Sequence, residues 1–389
     1  MTESPWQIFV LFLRLGCISF GGPMAHVVLM RREFTHRRVW LTEARFDELF
    51  ALCQFLPGPS SSQLGMALGL KRAGWPGMLA AWVGFTLPSA TLLALAGLVG
   101  TALPATANGW IHGLKIFALA VLAHAALAMG RTLCPDRERV TLAAAVMVGT
   151  FVWPSTMGML GLLGVAAAWG WFGMTRGARE DVLGRIDLPV GAGLGMVGVF
   201  GVFLLGVPWL AGTAQGLLLD LFNAFSRAGI LVFGGGHVVL PLLSAEVVDK
   251  GWVAADTFLA GYGLVQGMPG PMFSFAAFLG AATAGLPGAL VATVAIFLPG
   301  ALLLAAILPW WERLRQEPRA QGLIAAVGAA SVGLLLHVLF DPGWRLAIGQ
   351  GSDYCLLAAA LVLLGPWRQA PWLVAMLCAT SGWLLSLHP

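Results

Sequence analysis

Charge is the scarcest property of this 389-residue chain. Only 10% of its residues are Asp, Glu, Lys or Arg, against about 25% in soluble domains, and the mean hydropathy is +0.84. Apolar stretches long enough to cross about 30 Å of hydrocarbon recur along it. This composition excludes an ordinary soluble protein and indicates an integral membrane protein. Because the apolar runs lack the alternation of a transmembrane β-barrel, the spans should be helices.

The chain also lacks the patterns of metal, redox and nucleotide chemistry. Its five cysteines show no Cys-x-x-Cys spacing, and its seven histidines form no His-x-x-x-His pair or Cys/His cluster. A phosphate-binding Gly-x-x-x-x-Gly-Lys-Ser/Thr is missing, so ATP is not the direct energy source. We therefore expect no metal and no cofactor.

The few charged residues predict orientation rather than nucleic-acid binding. The net charge of +4 comes from short basic loops, of which 31–45 is the richest, whereas the comparable loop 242–257 is mainly acidic. Basic loops stay cytoplasmic, and acidic loops tolerate either side. The N-terminus lacks the basic start and cleavage site of a signal peptide, so we expect the first segment to be retained in the inner (plasma) membrane.

One pattern occurs twice, about 210 residues apart. Each copy has a Phe-x-Arg-x-Gly, a Phe-Gly-Gly, a Gln-x-x-Pro-Gly-Pro, a Gly-x-Pro-Gly and a Leu-Pro, in that order. The core of the first copy is 6–100 and that of the second is 217–309, which divides the chain into halves at 1–185 and 186–389. Two such copies in a membrane protein indicate a transporter whose site lies where they meet.

The Pro-Gly-Pro motifs break the segments 46–70 and 258–282. The arms 46–56 and 59–70 are too short to cross about 30 Å at about 1.5 Å per residue, and proline cannot continue the helix. Broken backbone at membrane depth is tolerated only inside protein or beside water. Both segments are therefore predicted to be re-entrant hairpins or discontinuous helices with Pro-Gly-Pro at the tip.

The predicted fold class is an all-α polytopic transmembrane bundle with about 10–13 membrane segments. Opposite loop charges predict that the two copies are inverted. The parity depends on 140–173, which forms either one bent span or two short ones around Pro154. The spans in 320–387 are expected to serve as scaffold or as a homodimer surface.

Repeated positions supply the candidates for binding an oxyanion. Arg14 and Arg227 lie in apolar helices, where charge is costly unless paired or hydrated, although Arg14 could snorkel and Arg227 could pair with Asp220. The Phe-Gly-Gly motifs either expose backbone N–H groups or allow close helix packing. A helix that begins after each tip presents free N–H groups beside neutral Gln and Ser donors. The candidate substrate-binding residues are Arg14, Phe20, Gly21, Gly22, Gln54, Pro57, Gly58, Pro59, Ser60, Ser61, Arg227, Gly234, Gly235, Gln266, Pro269, Gly270 and Pro271.

These paired elements resemble the chromate ion transporter family, and in particular its long members with two homologous halves. The resemblance covers both copies and thus most of the chain. It implies a secondary transporter that exports chromate from the cytoplasm, confers chromate resistance and meets sulfate as a competing analogue. The motif residues of the family match Arg14, Gly21, Gly22, Gln54, Pro57, Gly58 and Pro59.

The second copy departs from this pattern, because Gly236, Met272 and Phe273 stand where the first copy has Pro23, Ser60 and Ser61. Substrate contact is therefore expected chiefly in the first copy.

Two rival functions stay open. A sulfate or other oxyanion carrier fits the same residues, because sulfate and chromate share charge and shape. An intramembrane enzyme acting on lipid would need an acid–base or metal constellation at membrane depth. None is visible in the sequence, so we expect a transporter and not an enzyme. The expected partners are chromate or sulfate and the lipid bilayer, without nucleic acid.

Overall fold

A computed structural model describes residues 3–20, 22–100, 108–174, 190–213, 216–232, 239–311 and 317–386. Within these ranges every regular element is helical. We number the α-helices longer than one turn in chain order. They are α1 (Pro5–Ile18), α2 (Gly22–Arg31), α3 (Glu43–Phe55), α4 (Ser60–Gly100), α5 (Asn108–Leu133), α6 (Arg137–Val152), α7 (Thr156–Gly173), α8 (Val190–Thr213), α9 (Leu217–Leu231), α10 (Val239–Val247), α11 (Ala255–Gly267), α12 (Phe275–Ile307), α13 (Pro318–Val338), α14 (Gly351–Leu364) and α15 (Pro371–Ser386).

Among the described residues, five helical segments are long and apolar enough to cross a membrane, and they belong to α4, α5, α8, α12 and α13. Shorter apolar helices, among them α1, α14 and α15, accompany them. The predicted all-α polytopic membrane bundle is confirmed.

The second copy repeats the backbone of the first in detail. Helix α4 breaks at Ala73 and Gly74, and α12 breaks at Ala284 and Gly285 with almost the same dihedral angles: φ is 63° at Gly74 and 65° at Gly285. A positive φ is readily adopted only by glycine. The repeated Gly-x-Pro-Gly motif thus has a local cause, since its first glycine makes the break.

The chain reverses at this break. Gly69 and Gly77 would lie about 12 Å apart in a continuous helix. Instead, a Cβ on either glycine would overlap the carbonyl oxygen of the other. The arms 60–72 and 75–100 of α4 therefore run side by side as two helices, and the equivalent contact between Gly280 and Gly288 shows the same reversal in α12.

Two hairpins of the first copy enter and leave at one end of the bundle, which we call the basic end. The Trp40 indole donates to Glu3 Oε1 at 3.0 Å, which brings the start of α1 beside the loop after α2. Arg31, the last residue of α2, pairs with Glu43 at 3.0 Å at the start of α3. The guanidinium of Arg72 lies 4.8 Å from the centroid of Trp40, so the first arm of α4 also ends here.

The first copy thus contains two re-entrant hairpins, α1–α2 and α3 with the first arm of α4. The hairpin formed by α3 and the first arm of α4 agrees with the one predicted for 46–70. The α1–α2 hairpin departs from expectation, since the sequence indicated a polar loop from residue 31 but did not reveal the short helix α2 before it. Helix α10 likewise covers part of the loop expected at 242–257.

Contacts of α5 show that the copies are inverted. The second arm of α4 carries the chain about 39 Å away from the basic end, and α5 begins eight residues after α4 ends. Near the start of α5, Lys115 pairs with Asp256 at 2.8 Å, and Asp256 lies in the first turn of α11. Helix α11 corresponds to α3, which starts at the basic end. Equivalent helices therefore begin at opposite ends of the bundle.

Residues 140–173 form two helices rather than one bent span, and the break lies at Pro154. The Trp169 indole donates to Glu138 Oε1 at 3.1 Å, so α7 ends where α6 begins. The pair therefore contributes an even number of crossings. Helix α8 then supplies the single additional crossing that an inverted repeat requires.

Helices α13–α15 are the second-copy counterparts of α5–α7. The two sets exchange partners, because α5 packs against α14 and α15, whereas α13 packs against α6 and α7. Small residues allow the close approach. A Cβ on Gly382, for instance, would lie 2.5 Å from the carbonyl oxygen of Gly109. The helices between residues 318 and 386 therefore pack against helices of the first copy.

Cysteines at Thr42 and Ala254, which precede the equivalent helices α3 and α11, should react from opposite sides of the membrane. The measurement is labelling by an impermeant maleimide in intact cells and in everted vesicles, in a chain without its native cysteines. Labelling of both positions from the same side would contradict the inverted arrangement.

Candidate functional site

Hairpin tips of one copy meet the broken helices of the other at the centre of the bundle. The Gly58 N–H donates to the Val232 carbonyl at 2.7 Å, and the Gly270 N–H donates to the Ser19 carbonyl at 2.8 Å. These two bonds are equivalent, since Ser19 and Val232 directly follow α1 and α9. Each Pro-Gly-Pro tip is thus pinned to the first helix of the opposite copy.

Glycine is required at both tips. Gly58 has a φ of 118° and Gly270 a φ of 104°, in the region that disfavours other residues. A Cβ on Gly270 would lie 2.5 Å from the hydroxyl oxygen of Ser89, and one on Gly58 would lie 3.2 Å from the Cα of Gly300. Pro57, Pro59 and Pro271 flank them; all three lie at the tips, and they are buried.

A second pair of contacts joins the copies beside the tips. The Gln63 amide donates to the carbonyl oxygens of Pro57 at 2.9 Å and Gly300 at 3.1 Å. The hydroxyls of Ser89 and Ser274 lie 2.7 Å apart. Counted from the breaks at Gly74 and Gly285, Gln63 corresponds to Ser274, and Ser89 corresponds to Gly300. The same contact is therefore made twice with different side chains.

The first copy has one residue more than the second between its tip and its break. Counted from the break, Ser61 and Ser62 are the residues replaced by Met272 and Phe273. An alignment of the two copies from their tips instead pairs Met272 and Phe273 with Ser60 and Ser61. The two alignments therefore differ by one residue.

A buried histidine organises the first-copy side of the site. His26 Nε2 donates to the Ser19 carbonyl at 3.1 Å, and Nδ1 lies 3.3 Å from Ser61 Oγ. Because Nε2 carries the proton, Nδ1 of the neutral ring accepts from the Ser61 hydroxyl. His26 thereby joins α2, the end of α1 and the start of α4.

Further buried hydroxyls lie after α1 and on the two arms of α4, the segments that meet at the tips, and we call them, with His26, the polar cluster. The side-chain oxygens of Ser19, Ser62 and Thr86 have no hydrogen-bond partner within the described ranges. Buried hydroxyls normally have partners, so these three are free to donate to a bound oxyanion. The polar cluster consists of Ser19, His26, Ser61, Ser62, Thr86 and Ser89, and all six are buried.

The second copy has no equivalent cluster among its described residues. Apolar side chains or glycine occupy every matching position. The polar cluster therefore belongs to the first copy of the repeat and has no counterpart in the second. The replacements are Val232, Val239, Met272, Phe273, Phe297 and Gly300.

The two repeated arginines also differ. Arg227 donates to Glu246 Oε2 at 2.8 Å, and this carboxylate is only 2% exposed. Lys250 binds the same oxygen at 2.9 Å. The partner of Arg227 is therefore Glu246 and not Asp220. The buried Glu246 carboxylate therefore has two cationic partners, and the charge of Arg227 is neutralised in this state.

Arg14 has no such carboxylate. It is exposed on α1, about 7.5 Å along the helix before Ser19. The residue equivalent to Glu246 is Glu33, and its carboxylate binds Arg38 at 2.9 Å and Arg37 at 3.3 Å. Burial alone would raise the pKa of Glu33, but hydrogen bonds from Arg38 and Arg37 bring that pKa below its ordinary value. Arg14 makes no ion pair with any residue that the structure describes.

The other sequence candidates are placed less centrally. Gln54 is exposed on the last turn of α3, whereas the Gln266 amide lies 2.9 Å from Met272 Sδ. Phe20 is 37% exposed beside the tip, and Gly22 begins α2 with a φ of 78°. Among the remaining candidates, Ser60 and Pro269 are half-buried, and Gly21, Gly234 and Gly235 lie outside the described residues.

The sequence pattern missed Ser19, His26, Thr86 and Ser89. Two signals were available: Ser89 directly follows the repeated Leu-Pro, and Ser19 directly precedes the repeated Phe-Gly-Gly. Their contribution becomes visible only when the equivalent residues of the second copy are compared with them.

Comparison with known proteins agrees with this architecture. The model of the chromate transporter family matches residues 6–171 and 219–383, one match for each set of seven helices. The chain belongs to the chromate transporter family. Its members are transport proteins, so this family member is a membrane transporter and not an enzyme. The two matched ranges leave out α8, the helix that inverts the second copy.

Curated relatives cover nearly the whole chain. A chromate transport protein of Pseudomonas aeruginosa is 28% identical, over 97% of this chain and 92% of its own length. Another, from Cupriavidus metallidurans, is 27% identical over 93% and 88%. An uncharacterized transporter of Bacillus subtilis is 34% identical over 39% of this chain but 87% of its own length, so it corresponds to a single copy. No solved structure matches.

Proposed function

We propose that this family member exports chromate from the cytoplasm across the inner (plasma) membrane and thereby confers chromate resistance. The observation that carries the proposal is the crossing of the hairpin tips over a polar cluster present in one copy only. An inverted pair of re-entrant hairpins can open this cluster alternately to either side. The names of the two full-length relatives support chromate as the substrate.

The donors of the site suit a tetrahedral dianion. The hydroxyls of Ser19, Ser62 and Thr86 provide hydrogen-bond donors, and within the described residues no carboxylate hydrogen-bonds to the polar cluster. Arg14, near the same tip, contributes positive charge that no described carboxylate neutralises. In this proposal Arg14, the backbone at Phe20, Gly21 and Gly22, and the hydroxyls of Ser19, Ser60, Ser62 and Thr86 contact the anion. Ser61 holds His26 in place beside them. The Pro-Gly-Pro residues hold the site together.

The second-copy candidates have a different proposed role. Arg227 is neutralised by Glu246. We therefore propose that Arg227 and the segment with Gly234 and Gly235 support the moving hairpin and do not form the initial binding site for chromate. Gln266, Pro269, Gly270 and Pro271 form the tip that pins Ser19. Gln54 lies on the exposed face of α3, where it would meet the anion on its way to the site.

Membrane potential suffices as the driving force. The basic end is cytoplasmic by the positive-inside rule, so export moves two negative charges from a negative compartment. At about 2.3 kcal/mol per charge per 100 mV, a dianion that leaves the cell gains roughly 4–5 kcal/mol at a potential of about 100 mV. ATP is not required, in agreement with the missing phosphate-binding motif.

Replacing Arg14 or Gln54 with alanine should abolish chromate resistance at normal expression. Without Arg14 the site loses its unneutralised positive charge, and Arg14→Lys should retain part of the activity because it keeps that charge. The measurement is growth of a chromate-sensitive strain, together with uptake of labelled chromate into everted vesicles. Unchanged resistance in Arg14→Ala would contradict the assigned site.

Competition in the same vesicles separates chromate from sulfate. Chromate as the substrate requires saturable uptake of labelled chromate that excess sulfate slows. Uptake of labelled sulfate without uptake of chromate would identify the protein as a sulfate carrier on this scaffold.

A further inference from the structure

A polar cavity of about 250 Å³ lies away from the polar cluster. It is bounded by the turn between α6 and α7, by the end of α10 and by the end of α13. Helix α5 starts at the end opposite the basic end and α6 follows it, so the start of α6 and the adjoining end of α7 lie at the basic end. Their connecting turn at Pro154 therefore lies at the opposite end. The lining includes three titratable residues, Asp249, His337 and Asp341.

His337 is the unusual member of this lining. It is 8% exposed, and its Nδ1 atom is buried without a hydrogen-bond partner among the described residues. The ring lies edge-on to Phe151, with the centroids 4.5 Å apart. Buried polar atoms are nearly always satisfied, so an unsatisfied imidazole nitrogen in the lining of a polar cavity points to a ligand.

Apart from His337, the titratable residues in the lining of the cavity are two carboxylates, Asp249 and Asp341. Asp341 pairs with Arg345 at 3.0 Å, while Asp249 follows Glu246, which already holds Arg227 and Lys250. Burial, and then the charge of Glu246, raise the pKa of Asp249 above its ordinary value. From α6 and α7 the cavity receives only side chains that do not titrate, Phe151, Pro154 and Met159.

We propose that this cavity is a proton-binding site, in which neutral His337 takes up a proton at Nδ1 from the side opposite the basic end. The resulting imidazolium shares the cavity with the carboxylates of Asp249 and Asp341, and nearby carboxylates favour the charged ring. A metal ion is a poorer occupant, since no group of three metal-ligating side chains forms within the described ranges.

Protonation at this site acts on the second copy. Asp249 belongs to the loop after α10, and α10 carries the Glu246 that neutralises Arg227. His337 belongs to α13, which packs against α6 and α7. A charged His337 therefore ties the first hairpin of the second copy to these helices. If the hairpins move during transport, as the proposed function requires, acid on this side slows export.

The proton site is tested directly by histidine titration. In full-length protein in lipid nanodiscs with ¹⁵N-labelled histidine, the resonance that disappears in His337→Gln reports the site. We expect His337 to titrate and its pKa to fall in Asp249→Asn and in Asp341→Asn. Asp256→Asn removes a carboxylate at the same end of the bundle but outside the cavity, and it should leave the titration unchanged. A titration that neither cavity variant shifts would overturn the proposal.

Transport provides the second test. In proteoliposomes, acidifying the side opposite the basic end should slow chromate movement by the wild type, whereas His337→Gln should lose this response. Equal responses of the two proteins would overturn the link between cavity and hairpin. If the wild type moves no chromate at all, the proposed function fails, and the histidine titration still decides the site.

Discussion

Gly270→Ala should reduce chromate transport by roughly tenfold or more. A φ of 104° strains any residue with a Cβ, and such strain costs about 1–3 kcal/mol. The new methyl group would also lie 2.5 Å from Ser89 Oγ, in the place where the tip is pinned to Ser19. The tip then loses the position in which its N–H reaches the other copy. Initial uptake into everted vesicles, normalised to inserted protein, measures the loss.

A second substitution separates steric overlap from general misfolding. The contact equivalent to Gly270–Ser89 is Gly58–Gly300, where glycine faces glycine. Ser89→Gly should therefore restore part of the transport in Gly270→Ala, although the backbone strain persists. Gly164→Ala on α7 is the matched control, since a Cβ there meets nothing within 4 Å. Full activity of Gly270→Ala would show that the tip is not constrained as described.

Ser62→Asp should abolish chromate transport at pH 8, while Ser62→Asn should keep most of it. Ser62 is 2% exposed, and its hydroxyl has no partner among the described residues. A carboxylate about 6 Å from a dianion repels it by roughly 5 kcal/mol at an effective dielectric constant of about 20. Such repulsion corresponds to more than about a thousandfold in affinity. Asparagine has nearly the same shape without the charge.

The comparison between these two variants isolates charge from packing. Both should reach the membrane in similar amounts, as measured by immunoblot of washed membranes. Equal transport by the two variants would remove Ser62 from the anion path. Equal loss in both would instead show that Ser62 supports the packing of α4 and does not face the substrate.

Much of the fold followed from the sequence because its causes are local. Low charge and long apolar runs determined the membrane class, and the Pro-Gly-Pro motifs determined where helices had to break. The repeat determined that α1–α4 would recur as α9–α12. The short helix α2 was not predicted, because its ten residues are too few to show a clear apolar periodicity and a polar, charged loop follows them.

The candidate site followed only in part. Pro57, Gly58, Pro59, Gly270 and Pro271 lie at the tips where the two copies meet, and their part in binding stays a prediction. The roles of Arg14 and Arg227 could not be separated by a pattern that treats them alike. The partner of Arg227 is nineteen residues away on a different helix, so only the folded chain shows that this charge is neutralised.

The sequence by itself determined a duplicated helical membrane transporter with two proline-broken hairpins, because composition and backbone-breaking residues act within a few turns of helix. Only the tertiary structure decided that the tips cross between inverted copies and that the polar cluster belongs to the first copy alone. The physical reason is that these features depend on which atoms meet across the interface. Gly270 reaches Ser19, and His26 reaches Ser61, only after the chain has folded back on itself.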